Sequence, residues 1–393
     1  MHIYQLLLIL MINFLIKKLH KTKKINLRRE INLIMKKTIA VTPGDGIGHE
    51  VVAEGVKILK MIADNSDYEF DFKDAPAGGQ VWKDQGINLP KQSFEIMKSS
   101  DAILFGAIGL PDLPQGVAES AILSIRQGLN QYVNLRPVKL YNALKDKCPL
   151  KDEYIGDGID ITVVRENTEG LYSKIGGNAH GDAAVDTMIF TKRGIDRIIE
   201  YAFEYAKLKG HKKVTSVDKA NILRTSQLWR ERFQEIGKNY PEIAKEHFYV
   251  DAFCQWLIRK PYTVETVVTC NMFGDIVSDE AAYLIGSLGM AASGNINPEG
   301  VSMFEPIHGS APDIAGKGIA NPIGTVLSVK IMMEEAFKDS QMGVLIDKAV
   351  ENSLSVGRTP DIMPNTKDTK LKMMNTESMG KLIAEELKIL LKT

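Results

Sequence analysis

The sequence predicts an α/β protein built around a largely parallel sheet. From Thr38 onward, short apolar runs alternate with stretches of helical periodicity. Because strands separated by helices form crossovers between parallel neighbours, this alternation favours a sheet covered by helices. Two stretches, 142–158 and 295–300, contain Gly or Pro among polar residues and are predicted to be loops. The strand-like runs are 39–41, 68–72, 102–105, 159–164, 213–217 and 266–269, and clear helix-like stretches are 49–63 and 194–209.

The charge balance and the cysteines narrow the class of protein. The 393-residue chain has 49 Lys and Arg against 49 Asp and Glu, so its formal net charge is zero. This balance argues against bulk attraction to nucleic acid or to an anionic membrane. Cys148, Cys254 and Cys270 lie far apart and form no CxxC pair, so we expect neither a disulfide framework nor a zinc site. A reducing, cytoplasmic compartment is the expectation.

The first 34 residues differ from the rest of the chain. Residues 3–16 are apolar and residues 17–29 are strongly basic. The apolar run falls short of the about 20 residues that cross a bilayer, and no cleavage site follows it. A membrane-surface anchor and an upstream extension of the reading frame both remain open. The extension is favoured, with Met35 as the start, because the first buried strand is predicted directly after it.

A glycine-rich turn, Gly44–Gly48, follows the first predicted strand and opens a helix. Glycines permit close backbone approach, and a helix N-terminus favours an anion. The spacing GxGxG does not match the GxGxxG fingerprint of a Rossmann site. Contact with a nucleotide and a plain strand-to-helix turn are both compatible with this pattern.

Three arginines are candidates for binding carboxylates. Arg136 precedes a proline, which favours an extended backbone. Arg165 ends a predicted strand, where ligand-facing residues of open α/β sheets tend to lie. Together with Arg126 they could hold two carboxylates by charge-assisted hydrogen bonds. The alternative is that they are solvated or paired within the protein.

Asp275 and Asp279 are four residues apart in the segment NMFGDIVSDE. On one helix they share a face and repel each other unless a cation lies between them. Hard divalent cations such as Mg²⁺ or Mn²⁺ prefer carboxylate oxygens. A helix N-terminus that uses Asp to complement its dipole is the alternative.

The segment 308–322 contains many small and turn-forming residues and almost no apolar periodicity. A loop this long inside a compact domain is usually functional, and its free backbone N–H groups could surround a nucleotide. Asp313 could accept hydrogen bonds from ribose hydroxyls and would repel a 2′-phosphate, which favours NAD over NADP. A plain surface loop is the alternative.

Together these segments resemble the isocitrate and isopropylmalate dehydrogenase family of β-decarboxylating dehydrogenases. The resemblance covers the chain from Lys36 to its C-terminus. It implies a two-lobed α/β fold with a nucleotide site that is not of the Rossmann type. A nucleotide-binding lobe would comprise 35–131 and 286–393, and a substrate, metal and dimerisation lobe 132–285, with 1–34 outside the fold. The motifs occur in the order TPGDGIG, YVNLRP, VRENTEGLY, DKAN, NMFGDIVSDE and EPIHGSAPDIAGKGIANP.

The resemblance also implies roles for single residues. The implied enzyme is a homodimer that uses NAD and Mg²⁺ or Mn²⁺, with Lys219 and Asp251 acting in the neighbouring subunit's site. Lys219 would accept the hydroxyl proton during oxidation, and Tyr172 would return a proton to carbon after decarboxylation. The positions that match are Tyr172 and Lys219 for catalysis, Arg126, Arg136, Arg165 and Asp251 for the substrate, Asp251, Asp275 and Asp279 for the metal, and Gly309, Ser310, Ala311, Pro312, Asp313, Ile314 and Asn321 for the cofactor.

One position bears on the substrate. Isocitrate enzymes of the family carry Ser-x-Asn ahead of the first arginine, whereas here Ser120 is followed by Ile122. A carboxylate against Ile122 would stay unpaired, while an isopropyl group would be accommodated. The expected substrate is therefore 3-isopropylmalate, with tartrate or D-malate next and isocitrate or homoisocitrate after them. A non-catalytic regulatory relative is the alternative from another class, and the presence of the catalytic residues argues against it.

Overall fold

The computed structural model describes residues 34–114, 116–179, 181–365 and 370–393. The apolar stretch 3–16 and the basic stretch 17–29 both lie outside the described residues. No helix in the described ranges is long and apolar enough to cross a membrane.

The first part of the chain alternates strands and helices as predicted. The glycine-rich turn connects the last residue of β1, Gly44, to the first residue of α1, Gly48. The elements are β1 (Met35–Gly44), α1 (Gly48–Asp64), β2 (Tyr68–Asp74), α2 (Gly79–Gln85), α3 (Lys91–Ser99), β3 (Ala102–Ala107) and α4 (Val117–Gly128).

The middle part adds a second set of strands and a two-stranded hairpin. The predicted loop at 142–158 is partly wrong, because it contains a 3₁₀ helix, Asn142–Lys147, and one short α-helix. The elements are β4 (Val133–Lys139), α5 (Asp152–Ile155), β5 (Asp160–Glu166), β6 (Gly176–Ala179), β7 (Ala183–Asp186), α6 (Lys192–Lys209), β8 (Lys213–Asp218), α7 (Arg224–Gly237), β9 (Ala244–Tyr249), α8 (Val250–Arg259), β10 (Thr266–Thr269) and α9 (Asn271–Leu284).

The last part returns to the first half of the sheet and then adds helices. The predicted loop at 295–300 begins inside a strand, because β11 continues to Ile296. The elements are β11 (Ala292–Ile296), β12 (Ser302–Pro306), α10 (Ile323–Glu335), α11 (Ser340–Leu354), β13 (Gly357–Arg358), β14 (Lys372–Met373) and α12 (Thr376–Lys392).

Ten strands form one mixed sheet in the order β2-β1-β3-β12-β11-β4-β5-β10-β8-β9. The strands from β2 to β12 pair in parallel, and so do those from β5 to β9. Between these two parallel groups, β11 and β4 pair antiparallel with each other and with their outer neighbours. The largely parallel sheet is confirmed, and β11 and β4 are where its two groups meet. Within this ten-stranded sheet, the strands from 35–131 and 286–393 lie on one side of that junction and those from 132–285 on the other.

The inner strands are buried on both faces. Every residue of β3, β10, β11 and β12 is buried, including Ile103, Val267 and Phe304. Burial on both faces explains the continuous apolar run of β3, whereas β11 and β12 also carry buried polar side chains, among them Asn295 and Glu305. The core therefore lies between the sheet and the helices on either face of it.

Candidate active site

The three candidate arginines come together from three different elements. Arg126 lies in the last turn of α4, Arg136 lies in β4 and Arg165 lies near the end of β5. All three side chains are buried and line one cavity of about 630 Å³. Alternation along β4 and its register with β5 place Arg136 and Arg165 on the same face of the sheet. The fold thus concentrates three positive charges around one cavity.

Helix α9 supplies the negative charges that face these arginines. Arg165 Nη1 donates to Asp275 Oδ1 at 2.5 Å. Arg136 Nη1 lies 3.3 Å from Asp275 Oδ1 and donates to Asp279 Oδ1 at 3.1 Å. A cation therefore does lie between the two aspartates, and in this structure it is Arg136. The arginines are paired within the protein, yet Nε of Arg126 and Nε of Arg136 are buried with no hydrogen-bond partner among the described residues.

Burial and mutual contact shift the pKa values of this group. Burial lowers the pKa of Arg165 to about 9, and burial also lowers the pKa of Arg136. For Asp275, burial raises the pKa, but Arg165 and Arg136 outweigh it and the net pKa is lowered. The pKa of Asp279, by contrast, is raised by burial. Asp275 is therefore held as a carboxylate at neutral pH.

Tyr172 lies on the wall of the same cavity. It belongs to a 3₁₀ turn, Gly170–Ser173, that follows β5. Its hydroxyl donates to Asp275 Oδ2 at 3.1 Å, and the guanidinium carbon of Arg165 lies 5.6 Å from the centre of its ring. Burial is the main cause that raises the pKa of Tyr172, so the hydroxyl keeps its proton. A neutral tyrosine beside two charged groups is available as a proton donor.

Lys219 and Asp251 lie elsewhere in the described chain. They follow β8 and β9, two parallel strands of the same sheet edge, and they form an ion pair with each other. The hydrogen bond from Lys219 lowers the pKa of Asp251, whose side chain is 64% exposed. Neither residue is among the described residues that line the arginine cavity. In the described part of the chain, no three His, Cys, Asp or Glu side chains are grouped so that they could hold a metal ion. A single chain therefore does not bring Asp251 together with Asp275 and Asp279.

The predicted long loop runs between β12 and α10 and has no regular secondary structure. Several neighbours tie it down: Ser310 donates to the Gly109 carbonyl, and Gly316 N–H donates to Glu50 at 2.6 Å. Asn321 is buried, donating to Asp361 at 3.1 Å and accepting from the Ile323 N–H at 3.0 Å. The remaining predicted cofactor residues lie in the same loop; Pro312 and Asp313 are exposed, Gly309 is exposed, and Ala311 and Ile314 are partly buried.

The glycine-rich turn packs against this loop. The N–H of Ile47 donates to the Ser310 carbonyl at 2.8 Å. Gly46 has φ +56°, and a Cβ there would lie 2.1 Å from the same carbonyl oxygen. Asp45 is buried and accepts hydrogen bonds from the N–H groups of Gly79 and Gly109. The turn therefore braces the predicted nucleotide loop, a role that the motif spacing alone did not show.

Several cavity residues were missed by the sequence reasoning. Ile122 lines the cavity as expected, and Leu123 and Leu171 extend the apolar wall that it begins. The sequence could have indicated both leucines, because Leu123 directly follows Ile122 and Leu171 directly precedes Tyr172. Three charged residues also line the cavity: Glu119 on α4, Lys174 in the segment before β6, and Asp186 at the end of β7.

The chain is similar to known proteins over most of its length. The family model described as isocitrate/isopropylmalate dehydrogenase matches residues 38–383. The chain belongs to this family. It is 44% identical over 357 residues to the 3-isopropylmalate dehydrogenase of Clostridium acetobutylicum, covering 89% of this chain and 99% of that one. The 3-isopropylmalate dehydrogenase of Bacillus subtilis is 41% identical, with 89% and 98% covered.

Solved structures show the same fold. The isocitrate dehydrogenase of Methylococcus capsulatus superposes with a TM-score of 0.80 at 34% identity, covering 90% of this chain and 99% of that one. A β-decarboxylating dehydrogenase from Thermococcus kodakarensis gives a TM-score of 0.73 at 36% identity, with 91% and 98% covered. The family fold expected from the motifs is confirmed, and the chain is a dehydrogenase of this family.

Proposed function

We propose that this dehydrogenase oxidises and decarboxylates 3-isopropylmalate to 4-methyl-2-oxopentanoate and CO₂, a step of leucine biosynthesis, with NAD and Mg²⁺ or Mn²⁺. The observation that carries the proposal is one cavity that combines three buried arginines with an apolar wall. Arginines suit the two carboxylates of the acid, and an aliphatic wall suits its branched side chain. The cytoplasmic location expected from the sequence is part of the same proposal.

The apolar wall distinguishes this acid from other 2-hydroxy diacids. Ile122, Leu123 and Leu171 offer no hydrogen bond to a third carboxylate or to a second hydroxyl. Leaving such a group unpaired costs on the order of several kcal/mol, whereas an isopropyl group gains from burial. Isocitrate, with a third carboxylate, and tartrate, with a second hydroxyl, are therefore expected to be poorer substrates. D-malate has neither group and is expected to be poorer because it lacks the apolar side chain that this wall would bury.

Different side chains would bind the substrate, accept its proton and return a proton to the product. Arg126 and Arg136 retain a buried, unpartnered Nε and would bind the substrate carboxylates. Tyr172 would donate a proton to carbon after loss of CO₂, since its hydroxyl faces the cavity with its proton retained. Lys219 would accept the proton of the substrate hydroxyl. NAD, when bound, supplies the hydride acceptor, and the loop 309–321 with Asn321 would hold it.

The donor chemistry fits a hard divalent ion. Asp275 and Asp279 lie one helical turn apart on α9, and both are near the cavity arginines. Their carboxylate oxygens are the ligands that Mg²⁺ and Mn²⁺ prefer, and a third oxygen donor would come from Asp251 of a second copy. Such an ion, when bound, stabilises negative charge on the substrate oxygens during oxidation and decarboxylation.

A second copy of the chain would also explain the exposed apolar side chains near the site. Ile258 on α8 is 50% exposed, and Ile276 and Tyr283 on α9 are 52% and 68% exposed. Helices α8 and α9 contact each other, and exposed apolar side chains that form one contiguous patch mark protein interfaces. We therefore propose a homodimer in which α8 and α9 pack against their counterparts, and in which Lys219 and Asp251 act in the partner's site.

Steady-state kinetics test the substrate and the cofactors. The enzyme is assayed with 3-isopropylmalate, D-malate, tartrate and isocitrate, with NAD or NADP, and with or without EDTA. We expect the highest kcat/KM for 3-isopropylmalate with NAD, loss of turnover in EDTA, and recovery with Mg²⁺ or Mn²⁺.

Full activity in metal-free buffer would contradict the proposed metal site at the aspartates. An equal kcat/KM with NADP would show that Asp313 does not repel the 2′-phosphate. A higher kcat/KM for tartrate or D-malate would replace the proposed substrate.

Mixing two inactive variants tests the shared site. Lys219→Met and Tyr172→Phe homodimers each lack one catalytic group in every site. If Lys219 acts in the partner's site, a mixed dimer contains one site with both groups intact, and activity returns after subunit exchange. If Lys219 acts within its own chain, every site of the mixed dimer stays defective. No recovery in verified mixed dimers would therefore disprove the arrangement.

A further inference from the structure

A chain of buried polar side chains leads away from Arg126 across the centre of the sheet. Arg126 Nη2 donates to Glu305 Oε1 at 2.9 Å, and Asn295 Nδ2 donates to the same oxygen at 2.7 Å. Asn295 Oδ1 in turn accepts from Asn134 Nδ2 at 2.8 Å and from Asn167 Nδ2 at 3.0 Å. These five side chains are all at least nine-tenths buried.

The strand order explains why this chain of contacts matters for geometry. Glu305 lies in β12 and Asn295 in β11, whereas Asn134 lies in β4, across the antiparallel junction of the two strand groups. Asn295 and Asn134 face each other directly in the register of β11 and β4. Asn134 and Arg136 are two residues apart in β4, so they project from the same face. The contacts therefore connect Arg126, on one side of the junction, to the strand that carries Arg136 on the other.

The polarity of this cluster is costly to the fold. Asn134 Oδ1, Asn167 Oδ1 and Gln131 Oε1 are buried and lack a hydrogen-bond partner in the described residues. Buried amide oxygens without partners destabilise a protein, and apolar side chains of similar size would avoid that cost. Packing alone thus gives no reason for the buried amides of Asn134 and Asn167, whereas a network that orients a buried guanidinium does.

We propose that Glu305 and Asn295 are positioning residues that set the spacing between the guanidinium groups of Arg126 and Arg136. The proposal rests on the assignment of these arginines to the substrate carboxylates. Glu305 binds one terminal nitrogen of Arg126 and leaves Nε without a partner. A diacid needs two guanidiniums at a defined separation, and a displacement of about 1 Å can reduce the rate about 100-fold. Glu305 also lines a smaller cavity with Arg126, Arg136 and Gly309. In this scheme it and Asn295 nevertheless touch no substrate atom and act through Arg126.

Glu305→Gln tests the proposal because it keeps the shape of the side chain and removes its charge. We expect the KM for the diacid to rise about 10- to 100-fold, with a smaller fall in kcat and an unchanged KM for NAD. Asn295→Ala leaves the ion pair in place and should raise the same KM by a smaller factor. Glu334→Gln is the matched control, because its carboxylate is equally buried and pairs with Lys209 away from the arginine cavity. It should leave both KM values unchanged.

A double-mutant cycle separates positioning from a general structural role. If Glu305 acts through Arg126, the variant Arg126→Gln/Glu305→Gln should be no worse than Arg126→Gln alone. Additive losses would overturn the proposal, as would an unchanged KM for the diacid in folded Glu305→Gln, or a rise in the KM for NAD alone. If Glu305→Gln does not fold, Asn295→Ala decides, and a wild-type KM in that variant overturns the proposal.

The outcome does not depend on the proposed substrate. If the wild-type enzyme prefers another 2-hydroxy diacid, the substrate assignment fails, and the same ratios are measured with that acid. If the wild-type enzyme turns over 3-isopropylmalate and Glu305→Gln does so equally well, the positioning role fails alone.

Discussion

Two cavities lie on opposite faces of the sheet, and both are rich in charged side chains. The arginine cavity of about 630 Å³ lies on the face of Arg136 and Arg165. A second cavity of about 410 Å³ is lined by Pro137 and Lys139 of the same strand β4, which project to the other face. Consecutive residues of one strand thus serve two cavities with different properties.

The two cavities differ in how their charges are satisfied. In the second cavity, which we call the rear cavity, Asp347 pairs with Lys139 and accepts from the Tyr141 hydroxyl at 2.8 Å, while Glu334 pairs with Lys209 and Lys330. The arginine cavity also contains ion pairs, but two of its buried donors, Nε of Arg126 and of Arg136, have no partner in the described chain. The lining of the rear cavity has no such atom among the described residues.

This difference teaches how a binding site is distinguished from a structural cluster. Both cavities are of a size that admits a small molecule, so volume does not decide. Buried donors without partners carry a free-energy cost that a bound carboxylate would remove. The charges of the rear cavity are paired with each other and need no ligand to neutralise them. These ion pairs instead stabilise the packing of α10 and α11 on the sheet.

The largest expected effect comes from a matched pair of tyrosines. Each hydroxyl donates to an aspartate, Tyr172 to Asp275 in the arginine cavity and Tyr141 to Asp347 in the rear cavity. Tyr172→Phe should lower steady-state turnover about 100- to 10,000-fold, as expected for a lost general acid. Because hydride transfer precedes the protonation, a burst of NADH should appear in the first turnover. Stopped-flow absorbance at the NADH band measures both phases.

Tyr141→Phe is the control for this experiment. It should keep wild-type kcat and KM and lower the free energy of unfolding by about 1 kcal/mol, the typical value of one hydrogen bond. A comparable loss of turnover in Tyr141→Phe would show that the rear cavity takes part in catalysis, and the contrast between the two faces would be wrong.

The second prediction concerns stability and pH. Burial raises the pKa of Asp347, but Lys330, Lys139 and Tyr141 outweigh it, so the pKa in the folded protein is lowered. A lowered carboxyl pKa stabilises the fold above the unfolded-state pKa of about 4, and this stabilisation is lost as the pH falls through the folded-state value. Asp347→Asn should therefore lower the free energy of unfolding at pH 7 by about 2 kcal/mol, and the difference from wild type should vanish in acid.

Urea unfolding of both proteins from pH 7 to pH 3 measures this difference, and kcat/KM at pH 7 is measured in parallel. We expect activity per folded molecule to be unchanged in Asp347→Asn. A constant stability difference across the whole pH range would mean that the carboxylate charge does not contribute, and the rear cavity would then depend on packing alone.

The smallest expected effect is the salt dependence of substrate binding. The chain has no net charge, so attraction of a dianion must come from the local arginines. Raising sodium chloride from about 0.05 M to about 0.5 M should raise the KM for the diacid by about two- to threefold, with kcat unchanged, because salt screens this attraction. A KM that is insensitive to salt would indicate that Asp275 and Asp279 already neutralise the arginines seen by the approaching substrate.

The sequence by itself determined the parallel strands and the helices between them, and it predicted most residues of the candidate site. Apolar runs and turn residues act locally, so 102–105 and 266–269 could be recognised as strands without knowledge of their neighbours. The ordered motifs also identified the arginines, Tyr172 and the long loop before any contact was known. Where local signals were mixed, as at 142–158 and 295–300, the prediction of loops was partly wrong.

Only the tertiary structure decided which of these residues meet. Strand order and register are set by contacts between distant segments, and no local pattern encodes them. They place Arg136 between Asp275 and Asp279, bring Asn134 opposite Asn295 across the junction, and leave Lys219 with Asp251 away from the arginines. The physical reason is that a contact between distant residues stabilises the fold only after the chain between them has closed into a loop. A local sequence pattern can therefore specify a helix or strand but not the partner that it contacts.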